Sequence, residues 1–148
     1  MTSPAVLARS NKRQRTVLRV GGVYDAGFGV ALLAVPGLLT SVMALPMPTI
    51  GAIWLRLDGI FLIVVGMIYW VMAQDPARYL GIMAMIFTAK AGSIIFYLTY
   101  VFAFGESRTF ILFAVLDAMM FALHAWAIGP NAVSRILEAL RPAQLDTA

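Results

Sequence analysis

Asp25, Asp58, Lys90 and Asp117 stand in segments that otherwise belong in hydrocarbon: VYDAGFGVALL, LRLDGIFLIVVG, IFTAKAGSIIF and FAVLDAMMFALHAW. The last of these also carries the chain's one histidine, His124. A charge at mid-bilayer costs at least ~2.5–3.5 kcal/mol on insertion scales, so such residues turn inward and find partners. Two chemistries are open to them. They can form an ion-pair network that fixes which helix faces which, or they can form a site, either a proton relay or an anchor for the polar head of a ligand. At ~1.5 Å per helical residue, Asp58 and Asp117 lie on the order of 10–12 Å below one boundary, Asp25 and Lys90 lie nearer the middle, and the four can meet at similar depth. The long stem of Lys90 can reach Asp117 or Asp25, and we expect Asp117 to face it. Arg56, two residues from Asp58, does not share its face and is expected to reach the interface. His124 follows Asp117 by seven residues on the same face, which suits a packed, hydrogen-bonded histidine better than a ligand.

The absences narrow the chemistry further. There are no cysteines, which excludes disulfides, thiolate metal sites, iron–sulfur clusters and a CxxC redox pair. One histidine cannot supply bis-histidine haem ligation, although it can hold one axial position on a haem or chlorophyll that a partner completes. The nine methionines are scattered and read as gap-filling residues, not as a copper site. No HExxH, Walker, GxSxG or glycine-rich dinucleotide sequence occurs. We expect no catalytic residues, no metal and no intrinsic cofactor, and hence not an independent enzyme.

The elements that must position these side chains follow from composition. With 148 residues, 61% of them hydrophobic and 12% charged, and a mean hydropathy of +0.88, the chain is expected to be a single all-α integral membrane domain. About 20 apolar residues cross a ~30 Å core. Four segments qualify, at about Thr16–Leu39, Gly51–Ala73, Tyr79–Phe104 and Thr109–Gly129. Pro36-Gly37, Pro46 and Pro48, Gln74-Asp75-Pro76, Gly105-Glu106-Ser107-Arg108 and Gly129-Pro130-Asn131 punctuate them. MTSPAVLARSNKRQR is too polar for the core of a signal peptide, so no leader is expected to be removed.

The net charge of +4 reads as topology, with no nucleic-acid partner, because eight of the eleven basic residues lie outside the apolar segments. Arg9, Lys12, Arg13 and Arg15 precede the first span with no acidic residue among them, which places residues 1–15 as a cytoplasmic arm able to touch anionic lipid. Four spans return the C-terminus to the same side, where Arg78, Arg135 and Arg141 agree. Residues 130–148 are expected to add a short amphipathic helix, from Asn131 to Leu140, and a tail. Short loops imply an up-and-down four-helix bundle. Gly22 and Gly29, and likewise Gly59 and Gly66, are spaced seven apart, which notches one face of each of the first two spans for a close antiparallel crossing. Thr88 and Gly92 offer a similar notch on the third.

The stretches LDGIFLIVVGMIYWVMAQDPARY, FTAKAGSIIFYL and FAVLDAMMFALHAW resemble small bacterial four-helix membrane proteins of the DoxX-like type over about the last two thirds of the chain. The resemblance implies a bundle in the bacterial inner membrane, with Asp75-Pro76 at the inner turn and Lys90 and Asp117 as the polar positions of spans three and four. Some such proteins associate with redox proteins or quinone-linked oxidation. It transfers no catalytic role, and the missing cysteines depart from any thiol-redox one. Small size, short loops and absent catalytic motifs lead us to expect a non-catalytic accessory subunit of a larger respiratory or photosynthetic assembly, in contact with lipid, quinone or pigment. The alternative is a small homo-oligomeric proton-coupled transporter that uses Asp25, Asp58 or Asp117.

Overall fold

Long apolar runs can satisfy their backbone groups in a membrane only by helical hydrogen bonding, and the chain folds accordingly. A computed structural model describes residues 4–42 and 49–129, with 134 and 137, and their side chains apart from those of 4–10, 39, 42, 49 and 50. Among the described residues five helices follow in order: α1 (Pro4–Ala34), α2 (Pro36–Val42), α3 (Thr49–Met72), α4 (Leu80–Ala103) and α5 (Phe110–Ile128). Four stretches of these residues are long and apolar enough to cross a membrane, Asn11–Ala34, Gly51–Met72, Leu80–Ala103 and Phe110–Ile128, as in a multi-pass membrane protein.

The last three spans begin and end within a residue or two of expectation, whereas the first differs at both ends. Residues 4–15 are not an arm preceding a helix but the first turns of α1 itself. At its far end Pro36 lacks the N–H that would continue the ladder, so α1 stops at Ala34. The same proline, with φ preset for a first turn, opens α2, which sequence reasoning did not anticipate. Thr40 and Ser41 return their hydroxyls to the carbonyls of Gly37 and Leu38. The expected C-terminal amphipathic helix lies outside the described residues apart from 134 and 137.

The glycine spacing does what it implies. α1 and α3 cross antiparallel, with Gly29 against Gly59 and Gly22 against Gly66. A Cβ on Gly29 would stand 2.5 Å from the Gly59 carbonyl oxygen, and one on Gly59 would stand 2.7 Å from that of Gly29. α4 and α5 form a second antiparallel pair, and α1 also packs on α5. Here the expected notch is not used, because nothing lies within 4 Å of a Cβ at Gly92, and Thr88 bonds its own helix at Ala84. Aromatic pairs hold the α4–α5 seam apart instead, with Phe87–Phe121 and Tyr97–Phe113 centroids at 4.8 and 5.8 Å.

α3 and α4, joined by a short turn, meet through side chains rather than by close backbone approach. Tyr69 and Met72 of α3 join Leu18, Met83, Ala84, Phe87 and Ile128 in a buried core. That core fills the end of the bundle where α1 begins and α5 stops, the proximal end. Met85, Ile95 and Phe102 face outward, as spans surrounded by lipid require.

Candidate functional site

Midway along the bundle the ammonium of Lys90 lies between two carboxylates from two other helices. It donates to Asp25 Oδ1 of α1 at 3.1 Å and to Asp117 Oδ1 of α5 at 2.9 Å. Three helices are thereby joined at one atom. Sequence reasoning left Lys90 a choice of Asp25 or Asp117, and it takes both. Ser93, one turn along α4, donates its hydroxyl to Asp117 Oδ2, with the Lys90 carbonyl 2.9 Å away as the competing acceptor. The Lys90 ammonium also stands 5.2 Å from the centre of the Tyr24 ring, a cation–π contact.

The group carries two negative charges and one positive. It walls a cavity of about 70 Å³ that Tyr24, Phe28, Leu62, Tyr97 and Phe113 complete. On the distal side the Phe113 ring contacts both Phe28 and Tyr97, and Tyr97 also stacks on Phe110. Asp25 is only 2% exposed, and its Oδ2 has no hydrogen-bond partner among the described residues. An orphaned carboxylate oxygen at such depth is costly, so the cavity beside it is the natural place for a water or another small donor.

Two expected members stand apart from this cluster. Asp58 is exposed and makes no ion pair or hydrogen bond among the described residues. The reason is axial: Gly59 sits against Gly29, so Asp58 lies about a turn beyond the level of Asp25. Its neighbour on the same face, Leu62, reaches the cavity instead. Asp58→Asn is therefore expected to leave the melting temperature of the detergent-solubilised protein unchanged, while Asp117→Asn lowers it; equal losses from the two changes would place Asp58 in the cluster after all.

His124 is buried in the aromatic core, between Tyr69 at 5.3 Å and Phe87 at 6.0 Å between ring centres. Its Nδ1 is 2.6 Å from the Met120 carbonyl, which makes Nδ1–H the donor and leaves Nε2 an acceptor without a partner among the described residues. Seven residues of helix, roughly 10 Å, separate it from Asp117. It is the packed histidine that its isolation implied. No group of three or more His, Cys, Asp or Glu among the described residues could hold a metal ion.

The basic residues of α1 divide. Lys12 and Arg15 are exposed, and the side chain of Arg9 lies outside the described residues. Arg13 is not a free surface charge. Its Nε and Nη2 donate to the Ala127 carbonyl at 3.4 and 3.2 Å, and its guanidinium lies 4.5 Å from the Trp126 ring centre. It thus caps the C-terminus of α5, where carbonyls lack helical partners and the helix dipole is negative. Gly129 ends that helix with φ +92°, and its N–H returns to Ala125. The signal was present in sequence, a glycine stop beside a tryptophan, but nothing local says which arginine meets it. Arg13→Ala is expected to destabilise the fold by about 1–2 kcal/mol, with Arg13→Lys recovering only part, because lysine keeps the charge but not the fork or the stacking plane. Thermal unfolding of the two variants side by side measures this, and full recovery by lysine would reduce the contact to simple charge.

Tyr24, Ser93 and Tyr97 also belong to the site and were not singled out as such. Ser93 lies three residues after Lys90, the helical interval that lets the two act together. Compared with models of protein families, with curated proteins and with solved structures, the chain matches none.

Proposed function

We propose that this chain is a non-catalytic accessory subunit of a larger membrane assembly, held together internally by its Asp25–Lys90–Asp117 tie and offering its outer faces to other subunits, lipid, quinone or pigment. The observation that carries the reading is the engagement of Lys90 by both carboxylates. These intramembrane charges join helices to one another, around a cavity with room for a few waters and no larger solute. The resemblance to DoxX-like proteins supports the same reading and a bacterial inner membrane. The basic residues at the start of α1 support a cytoplasmic proximal end, with both termini inside and residues 130–148 on that surface.

The test is the native mass of the particle extracted from its own membrane in a mild lipid-preserving medium, with identification of the proteins that accompany it. A large, defined assembly is the expected result. One or two copies carrying only lipid would overturn the subunit reading.

One observation favours a second reading, a small homo-oligomeric proton-coupled transporter. Asp25, whose Oδ2 has no hydrogen-bond partner among the described residues, lines a cavity at mid-span, where a carboxylate can gain and lose a proton. That reading requires pH-dependent ligand binding or uptake that disappears in Asp25→Asn.

A further inference from the structure

At the proximal end, the first exposed turns of α1 and the last turn of α5 enclose a groove of about 370 Å³ lined by Lys12, Arg13, Thr16, Val17 and Trp126. Among the described residues its lining holds two cations and no carboxylate. Arg13 is fixed in place by the Ala127 carbonyl and the Trp126 ring. A guanidinium has five N–H groups, and the carbonyl takes two of them, which leaves three without a partner among the described residues. Lys12 adds an exposed ammonium one residue away. The floor is apolar, at Val17. From there α1 continues the same face through Val20 and Val23, and α5 continues through Leu123 and Met119, all exposed. A cationic lip therefore stands at the end of an apolar track made by two helices, at the depth where a span meets its boundary.

We propose that this groove binds one anionic phospholipid, its phosphate at Lys12 and Arg13 and its acyl chain along Val20 and Leu123. Charge complementarity selects the headgroup, and the apolar track selects a lipid over a soluble anion. Trp126 sits at the level of the headgroup, where an amphipathic ring is favoured. The inference deepens the subunit reading by naming one of the ligands at its surface, and it rests on that reading only in setting the proximal end at a membrane surface.

The experiment uses the isolated full chain in nanodiscs of phosphatidylcholine containing a minor fraction of phosphatidylglycerol, with bound lipid counted by native mass spectrometry after release. Its outcome is independent of whether other subunits accompany the protein in its own membrane. Preferential retention of one phosphatidylglycerol is expected. Lys12→Gln should lower that preference about fivefold, the worth of one basic residue near an anionic surface. Arg108→Gln, in the loop at the opposite end, should leave it unchanged, and millimolar inorganic phosphate should not displace the lipid. Equal loss in the two variants, or no preference at all, would reduce the groove to general surface charge and overturn the proposal. Displacement by inorganic phosphate would overturn it in favour of a soluble anion.

Discussion

Lys90→Met is expected to abolish the stable fold, or to lower its stability by about 3–5 kcal/mol, a large share of what holds a small domain together. At 3.1 and 2.9 Å, Lys90 compensates two carboxylates that are 2% and 11% exposed. Without the ammonium, two carboxylates face one another beside a small cavity with no cation between them, and breaking a buried ion group by removing one member is costly for that reason. Neutralising the whole group should be far milder, since a buried ion network can be exchanged for uncharged residues of similar shape at little cost. The triple variant Asp25→Asn, Lys90→Met, Asp117→Asn is therefore expected to recover most of the loss. Thermal unfolding followed by fluorescence-detected size exclusion compares the two. A Lys90→Met protein as stable as the parent would show that Asp25 and Asp117 do not share a charge partner, and the tie would have to be abandoned.

The second large effect belongs to the α1–α3 seam. Gly29→Ala and Gly59→Ala each place a methyl group 2.5–2.7 Å from a backbone carbonyl oxygen of the facing helix. A backbone oxygen cannot swing aside as a side chain can, so the helices must separate along the seam. Overpacking costs about 1–3 kcal/mol in general, and these sites belong at the upper end. Gly27 in α1 and Gly92 in α4 provide the control, since a Cβ at either meets nothing within 4 Å. There the same change should be neutral, or stabilising by up to about 1 kcal/mol through helix propensity. Similar losses at all four positions would mean that alanine acts through something other than the crossing.

What was legible in the sequence tracks what is periodic in it. The four apolar runs, their antiparallel order and the heptad glycines all repeat along the chain, and each appears in the fold. Lys90 and Asp117 could be paired because an unpartnered charge in hydrocarbon leaves little choice. The axial register of α3 was not legible. Asp58 looked equivalent to Asp117 by depth, and only the seating of Gly59 against Gly29 shows it beyond the level of the cluster. Only part of what Arg13 does was legible, for a related reason. A basic residue before a span reads as topology by composition, while its place at the end of α5 depends on a contact 114 residues away. The notch expected at Gly92 failed because aromatic rings, not small residues, set the α4–α5 spacing.

The double engagement of Lys90 also bears on the order in which the chain is made. α1 and α3 leave the ribosome first and can close their glycine seam as a hairpin, with Asp25 already inside the membrane. When α4 follows, its lysine meets a carboxylate that is waiting, and the two charges offset one another within the hydrocarbon. α5 arrives last and brings Asp117, together with the helix end that Arg13 caps. At no stage of synthesis does Lys90 stand alone in lipid, and the second carboxylate acts as a latch closed on completion of the chain.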